Sequence, residues 1–190
     1  MDKKLFERDN LGKRDLRLAT FAGIGFMLIY LIFSPRGLDP SLWDEMTVAA
    51  GIRPPAKIFH GLWCVLVSYC LGAFGAQSIA QVLRIVGAVV GGVSAFFVYL
   101  VVRQILASLV RVKSLEHWSW IAPLFSMLAT ICFCAGDAAF RGVSPVSSAA
   151  FQFLGLVFSL HAFLRFLKVG GLWRILISML FAGFVAGETI

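Results

Sequence analysis

Residues 43–63, WDEMTVAAGIRPPAKIFHGLW, carry the most varied chemistry of a chain that is otherwise mostly apolar. Asp44 and Glu45 stand side by side, and Arg53 and Lys57 follow in the same stretch. A carboxylate can accept a proton from an attacking group, whereas guanidinium and ammonium groups bind phosphate through charge-assisted hydrogen bonds. The stretch therefore combines a candidate base with candidate anion ligands. Whether these groups can act together depends on the secondary-structure elements that position them.

The composition places these residues in a membrane protein. Apolar residues make up 59% of the chain and charged residues only 14%, and the mean hydropathy is +0.88. A soluble domain carries nearly twice that share of charge. Apolar runs recur at membrane-spanning length, and lipid requires each backbone polar group to be satisfied within its own segment. The sequence therefore predicts an all-α, polytopic helical membrane protein.

The net charge of +7 is typical of a protein that gathers Lys and Arg in its cytoplasmic loops. No nucleic-acid partner is expected, because the chain has no zinc-ligand spacing, Gly-rich phosphate loop or RNA-binding signature. No metal site is expected either, and the sequence specifies no cofactor. The cysteines lie in apolar runs and are expected to be small buried hydrophobic residues; they are Cys64, Cys70, Cys132 and Cys134.

Six apolar runs are candidate spans: residues 18–33, 58–74, 82–102, 118–135, 146–167 and 172–187. If all six cross from a cytoplasmic N-terminus, Lys and Arg divide eight inside and nine outside, against the positive-inside bias. If residues 58–74 lie on the outer face instead, the division becomes twelve inside and five outside. The sequence thus favours about five transmembrane helices, with interfacial helices in a long first outer loop at residues 34–81.

The domain prediction follows from this topology. Residues 1–17 form a basic cytoplasmic tail, and residues 18–190 form a single transmembrane domain. The sequence IFSPRG after the first run lacks the small-residue pattern of a signal-peptide cleavage site, so the run is expected to be a retained anchor. The expected location is the bacterial inner membrane or an equivalent one, with several spans, a cytoplasmic N-terminus and the lipid bilayer as partner.

The five-span arrangement gathers five of the ten acids on the outer face, namely Asp39, Asp44, Glu45, Asp137 and Glu188. Solubility of a loop explains each acid alone, whereas their common side favours a site. Asp39 suits the N-cap of a short helix over residues 39–51. On that helix Asp44 points away from the apolar face, and Glu45 lies at its edge.

Two features of the spans have structural interpretations. Gly87 and Gly91, with Ala88 and Gly92 in register, predict a close-packing stripe between helices. His161 and Arg165 share one helix face near the inner end of their span. A helix contact or snorkelling of these side chains is favoured there over a proton relay.

The order of these parts resembles the membrane-integral (C-type) glycosyltransferases, especially the protein O-mannosyltransferase-like branch. In that superfamily a basic tail and one span precede a large outer loop with an acidic residue or Asp-Glu pair, a Pro-Pro element and an apolar helix. A span that opens with Arg follows. Here the matching residues, within 39–104, are Asp44, Glu45, Pro54, Pro55 and Arg84.

The resemblance implies inverting transfer of a sugar from a polyprenyl-phosphate donor to an acceptor hydroxyl at the outer face. Asp44 and Glu45 would be catalytic, and Arg53, Lys57 and Arg84 would bind the donor phosphate. The resemblance also implies further spans, so the chain is expected to be the N-terminal part of a larger domain. The sugar and the acceptor are not specified.

One departure from the family pattern concerns a second acid. Relatives often carry one just before the span that begins here at residue 146, where this chain has Ser144 and Pro145. Asp137 is the possible substitute.

Two other functions remain open. A transporter part usually places ionisable groups near the bilayer midplane, whereas the acids here cluster at one boundary and the span interiors are nearly free of charge. A structural membrane protein without catalysis is the third alternative.

Overall fold

The structure, a computed structural model, describes residues 12–33, 69–70, 72–74, 79–112, 120–136 and 148–189. These residues contain no β-strand and form five main helices, so the all-α prediction is confirmed for them. The helices are α1 (Lys13–Phe33), α2 (Ile79–Val112), α3 (Ile121–Cys134), α4 (Ser148–Val169) and α5 (Leu172–Thr189). The five described residues between α1 and α2 are also helical, but the rest of the predicted interfacial helix lies outside the described residues.

Three stretches of these helices are long and apolar enough to cross a membrane: Lys13–Phe33, Gln81–Ser108 and Ala149–Val169. The apolar parts of α3 and α5, Ile121–Cys134 and Leu172–Gly183, are shorter. Large hydrophobic side chains are exposed along all five helices, which is typical of a surface that faces lipid. The described residues therefore indicate a membrane-embedded helical protein.

Two helices extend well beyond the apolar runs that predicted them. The helix α1 begins at Lys13, five residues before its run, and α2 continues to Val112, ten residues after its run ends. Neither flank contains Gly or Pro, so nothing in the sequence stops the helix where the apolar run stops. With 34 residues, α2 is about 51 Å long.

The helices α1 and α2 are antiparallel and pack closely against each other at Gly23 and Gly92. A Cβ atom on Gly92 would lie 2.7 Å from the Gly23 carbonyl oxygen and 2.7 Å from Met27 Cβ, so a larger residue does not fit. The predicted close-packing stripe is therefore confirmed at Gly92. Its partner Gly23 lies in a different helix and was not identified from the sequence.

The helix α2 also packs against α4, which carries α5 on its other side. The ring centroids of Phe97 and Phe158 are 4.9 Å apart across α2 and α4. Between α4 and α5, the Ser159 hydroxyl donates to the Ser178 carbonyl at 2.8 Å and the Ser178 hydroxyl donates to the Ser159 carbonyl at 3.0 Å. In α3, Phe133 stacks on Phe153 of α4 with centroids 5.4 Å apart.

These contacts show that successive helices alternate in direction. One end of the bundle, here named the Arg84 end, holds the last turns of α1, α3 and α5 and the first turns of α2 and α4. The opposite end, named the Arg103 end, holds the first turns of α1, α3 and α5 and the last turns of α2 and α4. Both names are kept below.

Candidate functional site

Among the predicted site residues, the structure describes Arg84. The predicted catalytic pair Asp44 and Glu45, the cations Arg53 and Lys57 and the possible second acid lie outside the described residues. That second acid is Asp137. For Glu188 the structure describes a helical backbone in the last turn of α5 but not the side chain.

Arg84 is half-buried and joins the first turns of α2 to the last turn of α1. Its Nη2 donates a hydrogen bond to the carbonyl oxygen of Leu31. The last four carbonyls of a helix have no partner within the helix, and a positive charge is favourable beside them. Arg84 thus stabilises the end of α1 with one of its five N–H groups. Its buried Nε has no hydrogen-bond partner among the described residues.

A second hydrogen bond ties α1 to α3 at the same end. The buried Tyr30 hydroxyl donates to the carbonyl oxygen of Cys134, the last residue of α3, at 2.6 Å. It stabilises a helix terminus as Arg84 does, because the acceptor is again a carbonyl of a last turn. Together the two bonds hold the ends of α1 and α3 and the start of α2 in one place.

The connections that carry the other predicted site residues are attached at this end. The first runs from Phe33 to Ile79 and contains Asp44, Glu45, Arg53 and Lys57. The second links α3 to α4 and contains Asp137, three residues after Cys134. Both connections therefore begin and end at the end of the bundle where Arg84 lies.

At the opposite end, Arg103 forms an ion pair that the sequence analysis missed. Its Nε lies 2.9 Å from Oδ1 of Asp15 in the first turn of α1, with side chains 19% and 11% exposed. Asp15 belongs to the predicted tail of residues 1–17, and Arg103 directly follows the predicted span of residues 82–102. An acid in the first turn of a helix is stabilised by the helix dipole. Asp15 was therefore the one residue in the sequence that could have indicated the start of α1 before the apolar run.

Gln104, the next residue on α2, contacts α4. Its side chain is 3% exposed, and Nε2 lies 3.0 Å from Nδ1 of His161. The Gln104 carbonyl accepts hydrogen bonds from Ser108 Oγ at 2.9 Å and Lys168 Nζ at 3.5 Å. The expected helix contact of His161 is thus confirmed, but its partner was not predicted. Among the described residues, the buried Gln104 Oε1 and the Tyr99 hydroxyl have no partner.

Arg84 and Arg103 mark the two limits of the apolar part of α2. They are 19 residues apart, with no charged residue between them. A helix rises about 1.5 Å per residue, so this separation is about 28 Å, close to the roughly 30 Å of a bilayer's hydrocarbon core. The helix therefore carries one cation at each edge of a membrane-length apolar segment.

The cysteines correct one prediction. Cys70 and Cys134 are buried as expected, whereas Cys132 is exposed, and all three are free thiols. Cys132 and Cys134 lie two positions apart on α3 and therefore point to different sides, so the expectation that Cys132 is buried is wrong. Within the described ranges, no group of His, Cys, Asp or Glu side chains is placed to hold a metal ion.

The chain matches no protein-family model, no curated protein and no solved structure. The similarity to C-type glycosyltransferases therefore stays an expectation based on motifs.

Proposed function

We propose that the chain is a five-span membrane protein whose Arg84 end transfers a sugar from a polyprenyl-phosphate donor to an acceptor hydroxyl. The observation that carries this proposal is the attachment of both acid-bearing connections, residues 34–78 and 137–147, at the end where Arg84 lies. The candidate base, the possible second acid and a phosphate-binding cation thus belong to one end of the bundle.

The proposed topology has two further supports. Because α1 and α2 are antiparallel, the segment between them returns to the end from which it left, as five spans require and six do not. The side chains described at the Arg103 end are strongly basic, which favours the cytoplasm for that end. They are Lys13, Arg14, Arg17, Arg103, Arg165, Lys168 and Arg174. The proposed membrane is the bacterial inner membrane or an equivalent one.

In the proposed reaction, Asp44 removes the proton from the acceptor hydroxyl as its oxygen attacks the anomeric carbon. The bond from that carbon to the phosphate oxygen breaks, and the polyprenyl phosphate leaves with the electron pair. Arg84, Arg53 and Lys57 stabilise the departing phosphate. Attack opposite to the leaving group inverts the anomeric configuration, and Glu45 supports Asp44 as a neighbouring carboxylate.

The test uses the full chain reconstituted in liposomes with a radiolabelled polyprenyl-phosphate sugar and a panel of acceptor peptides and lipids. Asp44→Asn should lower turnover by about 10²–10⁴-fold, the usual contribution of a general base. Asp39→Asn is the matched control, because Asn caps a helix as well as Asp does. Sugar transfer that is equal in the two variants would remove Asp44 from the mechanism.

A transporter is the second candidate, and the Asp15–Arg103 and Gln104–His161 contacts favour it, because polar pairs between membrane helices often mark a transport path. Asp15, however, lies in the first turn of α1, whereas transport sites lie near the midplane. Uptake of a labelled solute into the same liposomes, without sugar transfer, would favour this candidate. Neither activity would favour a structural role.

A further inference from the structure

The turn between α4 and α5 places three cations at the Arg103 end. Arg165 and Lys168 lie in the last turns of α4, and Arg174 lies in the first turn of α5. The turn itself is formed by Gly170 and Gly171, whose φ angles of 71° and 98° are in the region that favours glycine. No acidic residue occurs in the sequence between residues 137 and 188, so no acid close in sequence offsets this charge.

Two of these cations are held by backbone carbonyls. The Arg174 Nη1 donates to the Gly170 carbonyl at 2.6 Å, which folds the guanidinium back over the turn. Lys168 Nζ lies 3.5 Å from the Gln104 carbonyl of α2. The third cation, Arg165, is exposed one helical turn from His161. The protein therefore orients Arg174 and Lys168 before any anion binds.

Exposed apolar side chains lie directly beside the cations. Leu172 is 80% exposed and Trp173 is 73% exposed, between Lys168 and Arg174 in the sequence. Trp120 at the start of α3, 59% exposed, lies at the same end of the bundle. Tryptophan collects at the boundary between headgroups and acyl chains, so this arrangement fits a surface that meets both.

We propose that the α4–α5 turn binds the headgroup of an anionic phospholipid, with Trp173 and Leu172 at the boundary with its acyl chains. A soluble anion or an acidic peptide would match Arg165, Lys168 and Arg174 but would make no use of the two apolar side chains. A phospholipid supplies a phosphate and an apolar chain in one molecule, and basic clusters at helix ends recognise such headgroups. The proposal requires a membrane location and is independent of sugar transfer.

The experiment counts the lipids retained by the purified full chain. Protein in detergent is titrated with phosphatidylglycerol or phosphatidylcholine, and native mass spectrometry measures binding of each. The turn variant Arg165→Gln/Lys168→Gln/Arg174→Gln is compared with Lys13→Gln/Arg14→Gln/Arg17→Gln, which removes equal charge from the same end. Each cation close to an anionic headgroup contributes about fivefold in affinity, and the contribution falls off with distance from the bound lipid. The turn variant should therefore bind phosphatidylglycerol at least about tenfold more weakly, and the α1 variant should change it less than about twofold.

Three results would overturn the proposal: equal weakening in both variants, equal binding of the two lipids by the unmodified chain, or displacement of phosphatidylglycerol by inorganic phosphate. The last result would assign the cations to a soluble anion. Circular dichroism checks that each variant keeps its helix content. Should the triple turn variant lose helix, Arg165→Gln alone replaces it, because this exposed side chain can be changed without disturbing the core. Unchanged affinity for phosphatidylglycerol in Arg165→Gln would then count against the site.

Discussion

Arg103 and Asp15 form an ion pair of 2.9 Å that joins the last third of α2 to the first turn of α1. Both side chains are largely shielded, at 19% and 11% exposed. Removing one partner of a shielded pair leaves an uncompensated charge, which costs far more than losing an exposed pair. This pair therefore fixes the position of α1 along α2 at the Arg103 end, while Arg84 and Leu31 fix it at the other end.

The first prediction is that Asp15→Asn destabilises the protein by about 3 kcal/mol, because Arg103 is left without its charged partner. The measurement is thermal or denaturant unfolding of the purified chain in detergent. Lys13→Gln removes an exposed charge two residues away and should change stability by less than about 0.5 kcal/mol. The double variant Asp15→Asn/Arg103→Gln should recover part of the loss. Equal stability of Asp15→Asn and Lys13→Gln would contradict the structural importance of the pair.

The second prediction concerns the contact of Gly92 with Gly23. In Gly92→Ala the new Cβ meets a backbone oxygen and Met27 Cβ at 2.7 Å, so α1 and α2 must separate, at a cost of about 1–3 kcal/mol. Gly25→Ala is the matched control, since nothing lies within 4 Å of a Cβ at that position. Alanine favours helix by about 1 kcal/mol over glycine, so the control should be neutral or stabilising. A stabilised Gly92→Ala variant would be incompatible with this packing.

Hydropathy was sufficient to predict the helical class, because lipid forces each span to satisfy its own backbone. Hydropathy did not predict where α1 begins or where α2 ends, because both helices continue through charged residues that are good helix formers. The Asp15–Arg103 and Gln104–His161 contacts join residues 88 and 57 positions apart. Such pairs depend on how each helix is rotated about its axis. The apolar residues are spread almost evenly around these helices, so the sequence does not reveal which side of a helix faces its neighbour.

The third prediction concerns topology and follows from the antiparallel α1 and α2. In a background with all four cysteines replaced by serine, Ser78→Cys should react with a membrane-impermeant maleimide in intact cells. Ser108→Cys, beyond Arg103 on the same helix, should react only after the membrane is opened. The two variants have the same substitution type and lie 30 residues apart in sequence. Protection of Ser78→Cys in intact cells would restore the six-span arrangement.

The sequence could nominate Arg84 as a phosphate ligand but could not show that its guanidinium also contacts α1. The family resemblance and the positive charge suggested the phosphate role of Arg84, whereas its partner, the carbonyl of Leu31, lies 53 residues earlier in the chain. The fold therefore gives Arg84 two roles to separate, one at a helix terminus and the proposed one in donor binding.

The last prediction separates these roles through stability and kinetics measured on the same variants. Arg84→Lys keeps the positive charge but has one ammonium group in place of a planar fork, so it cannot bond the Leu31 carbonyl and orient a phosphate as arginine does. We expect a loss of about 1 kcal/mol in stability and a higher KM for the polyprenyl-phosphate sugar with a smaller change in kcat. Arg84→Gln, which removes the charge, should raise KM further, because it loses the charge-assisted contact to phosphate.

Asp44→Asn provides the contrast, since loss of a base lowers kcat by about 10²–10⁴-fold and leaves donor binding in place. Its stability should stay within about 0.5 kcal/mol of the unmodified chain, the usual range for a polar substitution at a surface. Unfolding curves and donor titrations in liposomes give both quantities for each variant. If Arg84→Gln lowers stability while KM for the donor stays unchanged, Arg84 acts only at the end of α1, and the phosphate must be bound by Arg53, Lys57 or another group.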